Sequence, residues 1–278
     1  MDATISGLFV YPVKSCGGIR VEKSVLEPRG FRHDRRWMVV DETKTFVTQR
    51  TAPRLALITT TLDAEALVLE APGLPVLRVP VMDAAFAPSP GALVSVRVWR
   101  DDVLAVDCGE RPSSWLTRWL GAPASLVFMP DASRRPVHPA YATEGDIVSF
   151  ADGFPLLIAS TSSLEDLNAQ MPKGVPMDRF RPNIVVSGAP PWSEDSWARV
   201  LIGPIPLRLP KPCERCVVTT VDQRTGEGGI EPMRTLALRR KRGNGVLFAQ
   251  NAVAEATGTI AMGDAVTVVR RADAPPFE

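Results

Sequence analysis

Four cysteines and two histidines in 278 residues are too few for most of the sites these residue types build. A disulfide-stapled scaffold needs a denser set of thiols, so free cysteines in a reducing, cytoplasmic setting are expected. No run of about 18 apolar residues occurs, so no membrane-crossing helix is expected. The start, MDATISGLFVYPVKSCGG, lacks the basic stretch, apolar segment and small-residue cleavage site of a signal peptide. Net charge is also missing. The 32 Lys and Arg stand against 31 Asp and Glu, which gives no general attraction for nucleic acid or an anionic membrane. Any cationic site must be local. No G-x-G-x-x-G lies between a strand and a helix, so no dinucleotide site is evident.

What the chain does have is 45% apolar residues and 26 prolines against 20 glycines. The length suffices for one large domain or two ordinary ones. The prolines suggest short strands and turns rather than long helices. The first 110 residues read as short β runs: ISGLFVYPV, VEKSVLEP, RRWMVVD, LALITTTL, ALVLEAP and LVSVRVWRDDVLAVDCG. A helix follows in PSSWLTRWLGAP, with Ser113 or Ser114 as cap, Trp115, Leu116, Trp119 and Leu120 on one face, and Gly121 and Pro123 as stop. Residues 129–146 read as a polar linker or surface loop. FPLLIASTSSLEDLNAQM then reads as a buried strand, a hydroxyl-rich turn and a helix in which Ser162 and Glu165 have capping-box spacing. FRPNIVVSG and WARVLIGPIPLRL are further strands, and a β-hairpin is expected around Met262–Asp264.

Two of the four cysteines stand together in KPCERCVVTTVDQRTGE. A structural zinc site needs about four N or S ligands. No second CxxC exists, and His33 and His138 have no metal-type spacing. A redox dithiol belongs at a helix N-terminus, whereas Val217–Val221 are strand formers. Two inert buried thiols are a further reading. A fourth is that one sulfur is a soft ligand for a redox metal, with Arg215 helping to keep Cys216 deprotonated. One cysteine cannot retain such a metal, so an organic cofactor held elsewhere would supply most of the grip.

Candidate anion grips exist. Ser160–Ser163 lie between a strand and a helix, where free N–H groups favour phosphate or the serines merely cap. Lys14 and Ser15 follow a strand, Arg35 and Arg36 open another, and Arg181 precedes Pro182. Several such residues at strand ends would gather at one rim of a barrel.

These segments carry a resemblance. YPVKSCGG, DRRWMVVD, TQRTAPRLALI, FRPNIVVSG, EDSWARVLIG, PCERCVVTTVDQRTGE and GTIAMGDAVTVV, in that order over nearly the whole chain, resemble the MOSC family and in particular its two-domain members, the amidoxime-reducing components and their bacterial relatives. The resemblance implies a molybdenum cofactor, with Cys216 as the protein's ligand to molybdenum and Cys213 a bystander. It places pterin and phosphate contacts on Lys14, Ser15, Arg35, Arg181, Glu214 and Arg215, and on Ser160, Thr161, Ser162 and Asn251. Asp222 would orient the loop or receive a substrate proton, or only pair at its turn.

The resulting expectation is an α+β, β-dominated fold: an N-terminal β-barrel-like domain over residues 1–125 and a MOSC β-barrel over 130–272. The implied activity is reduction of N-hydroxylated small molecules such as amidoximes and hydroxylamines. Electrons would come from an external flavin, iron–sulfur or haem protein, without nucleic acid or membrane as partner. A sulfoxide-type reductase and a cofactor-binding or sulfur-carrying module are the alternatives. The length leaves no room for a pyridoxal-type domain, and neither a membrane anchor nor an iron–sulfur domain is read in the chain.

Overall fold

The computed structural model describes residues 3–82 and 93–272. Strands dominate, as expected, with three α-helices among the described residues: α1 (Glu110–Leu120), α2 (Thr161–Asn168) and α3 (Met233–Arg239).

The central feature is a closed barrel of seven strands. Around it run Leu156–Ser160, Ile184–Ser187, Ala3–Val10, Ala265–Arg271, Trp197–Ile202, Ile205–Glu214 and Gly245–Ala254. Pairing of Leu156 with Ala252 and Ile158 with Gln250 closes the ring. Period-two alternation sends Ile205, Leu207 and Leu209 into the interior, where they meet Ile5, Leu8, Ile158, Ile184 and Val200. Leu156–Ser160 and Ile184–Ser187 are parallel, so α2 makes the crossover between them.

The division at 125–130 is not a division of the sheets. Ala3–Val10 pairs with Ile184–Ser187 and with Ala265–Arg271, so the chain's first strand belongs to the barrel. Alternation identifies a strand's buried face but not its neighbour. The same limit explains the C-terminal turn. Gly258–Ala261 pairs with Lys23–Glu27 rather than with Ala265–Arg271, so no hairpin forms at Met262–Asp264. Ile19–Arg20 pairs with Ala3–Val10 and Gly30–Phe31 with Lys23–Glu27, and the other strands of the first half form a four-stranded sheet ordered Trp37–Asp41, Ala124–Phe128, Asp101–Asp107, Leu93–Val98, and a three-stranded sheet over 59–80. Trp37, Leu55, Leu67, Trp115, Leu116, Trp119 and Phe128 fill the core between them.

Three local expectations shift. α1 starts at Glu110 after Gly109, ahead of the serines, and ends at Gly121 in the left-handed conformation. α2 starts at Thr161 with Ser160 at its cap position and without a side-chain cap, so Ser162 and Glu165 form no capping box. Residues 129–146 are anchored rather than loose. Arg135 is buried, donating to the carbonyls of Ser149 and Ala151 and pairing with Asp101.

Candidate active site

One rim of the barrel carries the end of Ala3–Val10 and the starts of Leu156–Ser160 and Ile184–Ser187. A cleft of about 290 Å³ opens there, between the barrel and the loops of the first half. Of the sequence candidates, it gathers Lys14, Ser15, Arg35, Arg181, Glu214, Arg215, Cys216 and Asn251. Arg50, Lys211, Asp152, Thr48 and Asn183 join them.

The backbone is strained where these side chains enter. Ser15, Arg35 and Arg181 have φ of 70°, 48° and 53°, in the left-handed region that residues with a Cβ rarely adopt. The surrounding contacts hold them there. Arg35 donates to Asp34 Oδ2 at 2.6 Å, Asn183 Oδ1 at 3.0 Å and the Arg181 carbonyl at 3.1 Å. Both guanidiniums lie over the buried Tyr11 ring, at 4.3 Å and 4.4 Å from its centroid. A Cβ on Gly18 would stand 2.4 Å from that ring, so only glycine lets the loop pass here. Burial pushes the Tyr11 hydroxyl up to about 12, against the pull of both arginines.

The cleft is strongly cationic. Lys14, Arg35, Arg50, Arg181, Lys211 and Arg215 face it against two carboxylates, Asp152 and Glu214. Burial pulls the Lys14 ammonium below its usual value, and Asp152, 2.5 Å away, opposes that pull. Burial would raise the Asp152 carboxyl, but Lys14, Arg50 and the Trp99 indole hold it well below the carboxylate range. Lys211 and Glu214 form an ion pair at 2.9 Å. Arg181 Nη2 and Arg215 Nε are buried N–H groups without a partner. Such groups in a cationic cleft are donors awaiting an anionic acceptor.

The two cysteines separate. Cys213 lies in the strand Ile205–Glu214, in which Pro210 and Pro212 sit at register shifts where the ladder is interrupted. Arg215 Nη1 donates to Cys213 Sγ at 2.8 Å, and Arg215 Nη2 to the Phe180 carbonyl. Burial nevertheless pushes the Cys213 thiol up. Cys216 instead receives Arg50 Nη2 at 3.0 Å. The neighbour expected to serve Cys216 therefore serves Cys213, and the cation on Cys216 comes from 166 residues earlier in the chain. Arg50 lies in TQRTAPRL, a stretch that signalled the family, but nothing local marks that residue as a site group. Its guanidinium packs on Trp99 at 4.6 Å, and Trp99 donates to Asp152 at 3.2 Å.

Val217–Thr220 form a 3₁₀ turn rather than the strand their composition suggests. The Thr219 and Thr220 hydroxyls donate to the carbonyls of Cys216 and Val217, at 3.0 Å and 2.8 Å, and stabilise it. A reciprocal amide pair, Gln49 with Gln223 at 3.0 Å in each direction, then ties this loop to the one bearing Arg50.

Four candidates lie elsewhere. Asp222 faces a separate depression of about 600 Å³. It accepts the Arg224 and Thr225 amides and pairs with Arg179 at 2.7 Å. The backbone N–H of Arg224 and these neighbours hold its carboxyl below the usual range, as suits a turn residue. Ser160, Thr161 and Ser162 do not line the cleft. Ser160 and Ser162 bond each other, and Ser162 donates to the Ala189 carbonyl at 2.7 Å. Ser163 donates to Glu194 Oε2 at 2.8 Å.

That buried Glu194 supplies a pH prediction. Burial pushes its carboxyl from 4.5 up to about 7, with Asp195 adding to the rise and Ser163 and Arg240 opposing it. Between these values the folded protein keeps a proton that the unfolded chain has released. Stability should fall as pH rises through this window, by about 1.4 kcal/mol for each pH unit crossed, and level off above it. Glu194→Gln should flatten that slope in melting curves compared at about pH 5 and about pH 8. An unchanged slope would assign it to other groups.

The comparisons with known proteins agree with this architecture. Residues 2–123 match the MOSC N-terminal beta barrel domain and residues 145–267 the MOSC domain. The chain belongs to the MOSC family. It is 37% identical over 281 residues to the mitochondrial amidoxime-reducing component 1 of Homo sapiens, covering 95% of this chain and 82% of that one. It is 37% identical to the mitochondrial amidoxime reducing component 2 of Rattus norvegicus, covering 84% and 71% respectively. In this MOSC protein no helix among the described residues is long and apolar enough to cross a membrane.

The cleft fits the cofactor that the family implies. Among the described residues no group of three or more His, Cys, Asp and Glu side chains could hold a metal. A metal at Cys216 would therefore take its other ligands from an organic group. The unpartnered N–H groups and the cationic excess suit an anionic, phosphate-bearing one.

Proposed function

We propose that this chain is a molybdenum-cofactor-dependent reductase of N-hydroxylated small molecules, with Cys216 as the protein's ligand to the metal. One observation carries the reading. Cys216, contacted by Arg50, lines the same cleft as Lys14, Arg35, Arg181 and Arg215, so one sulfur and a cationic grip share a common space. The names of the relatives, amidoxime-reducing components, support the substrate class.

When bound, the cofactor supplies two-electron redox chemistry and the capacity to accept oxygen. The chain's own residues do the rest. Cys216 would offer its sulfur as a soft ligand, and Arg50 Nη2 donates to that sulfur. Arg181 and Arg215, each with one N–H group left without a partner, would hold the anionic parts of the cofactor. Lys14 is held in place by Asp152 and the Phe150 carbonyl. Reduction of R–NHOH breaks the N–O bond, consumes two electrons and two protons, and releases R–NH₂ and water.

Metal analysis of freshly purified protein should find about one molybdenum per chain, and viologen reduced by dithionite should drive amidoxime turnover. Absence of both would sink the reading. The isolated chain should not oxidise NADH or NADPH when given an amidoxime, because the sequence holds no dinucleotide fingerprint. An external flavin, iron–sulfur or haem protein must deliver the electrons. NADH oxidation with no second protein or free flavin present would refute that wiring.

A further inference from the structure

The chain carries only one excess positive charge, yet residues 239–242 read RRKR. The run does not point one way. Arg240 is buried and paired with Asp195. Arg239, Lys241 and Arg242 are exposed, and none forms an ion pair with another described residue. The same region exposes three large apolar side chains: Val217 at 52%, Ile230 at 63% and Leu238 at 78%.

Backbone hydrogen bonds link the segments that carry these groups. Val217 directly follows Cys216. The Gly229 amide, next to Ile230, donates to the Thr220 carbonyl at 3.1 Å. Ile230 accepts from the Arg234 amide of α3, and Leu238 lies on the same helix. Lys241 pairs with Val246, whose carbonyl accepts the Arg215 amide at 2.8 Å. The cations and the apolar side chains thus sit on the segments that wrap the Cys216 loop, outside the cleft itself.

We infer that this face is the docking surface for a small acidic one-electron carrier protein. The inference rests on the reading of Cys216 as the metal ligand, since electrons arriving at Val217 would be one peptide from that sulfur. Exposed, unpaired cations steer an acidic partner at long range. Three exposed apolar side chains on linked segments suit the small, short-lived contact of redox encounters. α3 turns Leu236 inward, which leaves Leu238 as the one exposed large apolar side chain on this helix, little to lay into a bilayer.

The test uses the full chain and a triple variant, Arg239→Glu, Lys241→Glu and Arg242→Glu, with Leu238→Ser as a second. An acidic flavodoxin, an acidic [2Fe–2S] ferredoxin and a small acidic haem protein serve as probes. Binding is read by titration calorimetry between about 0.05 M and about 0.5 M salt, and viologen-driven amidoxime turnover is measured in parallel. Wild type should bind at least one probe, more weakly at high salt. The triple variant should bind it about tenfold or more weaker, and Leu238→Ser a few-fold weaker. Molybdenum content, melting temperature and viologen-driven turnover should stay unchanged in both. Equal binding by wild type and triple variant overturns the inference, as does wild type that binds none of the three probes. Binding to vesicles rich in phosphatidylserine instead of the probes also overturns it. Loss of viologen-driven turnover in wild type, with charge-dependent probe binding intact, would refute the reductase reading and leave the docking surface standing.

Discussion

Replacing Cys216 with serine is expected to abolish amidoxime reduction, while Cys213→Ser keeps most of it. Serine offers a hard, protonated hydroxyl where a soft thiolate is needed, and its pKa keeps it protonated at neutral pH. A loss on the order of a thousandfold corresponds to about 4 kcal/mol of transition-state stabilisation. Cys213 has a different environment. It sits in a strand, it packs against the cluster containing Phe180 and Phe248, and burial raises its thiol. Arg215 already engages its sulfur. Serine there can still accept from Arg215, so a modest loss of stability is expected rather than loss of chemistry. Molybdenum per chain and viologen-driven turnover, measured side by side for both variants, decide the matter. Equal loss from the two would mean that the cysteines act as a pair.

Arg181→Ala should weaken cofactor retention about ten- to hundredfold, because one charge-assisted bond is worth roughly 1.5–3 kcal/mol. The cofactor-free protein should not suffer in proportion. Arg181 Nη2 is buried without a partner, and burial together with the nearby Arg35 charge lowers the guanidinium's affinity for its proton. Removing the unpartnered Nη2 relieves that cost and offsets the lost contact with the Tyr11 ring, so the melting temperature of the free protein should hold. Lys14→Ala provides the contrast. Its ammonium already serves Asp152 and the Phe150 carbonyl, so its loss should lower both retention and the stability of the free protein. Molybdenum retained after gel filtration, with melting curves of loaded and unloaded protein, separates the two cases. If Arg181→Ala keeps its full metal and only unfolds earlier, the side chain is structural.

Local sequence determined a good deal of this protein. Alternating Val, Leu and Ile fixed the strands and their buried faces, and Gly121 fixed the end of α1, because each depends on residues a few positions apart. The short motifs marked Lys14, Ser15, Arg35, Arg181 and Cys216, and the fold brings all five to one cleft. The tertiary structure decided which partner each group meets. It put the first strand into the barrel of the second half. It gave Arg50 to Cys216 and Arg215 to Cys213, turned Asp222 to another depression, and tied Ser162 to Ala189 and Ser163 to Glu194. Neighbours in a chain share a backbone but not a direction. A left-handed φ at Arg35 or Arg181, or one register shift beside Pro212, re-aims a side chain, and contacts between residues far apart in the chain, such as Arg35 with Asn183, hold such conformations in place.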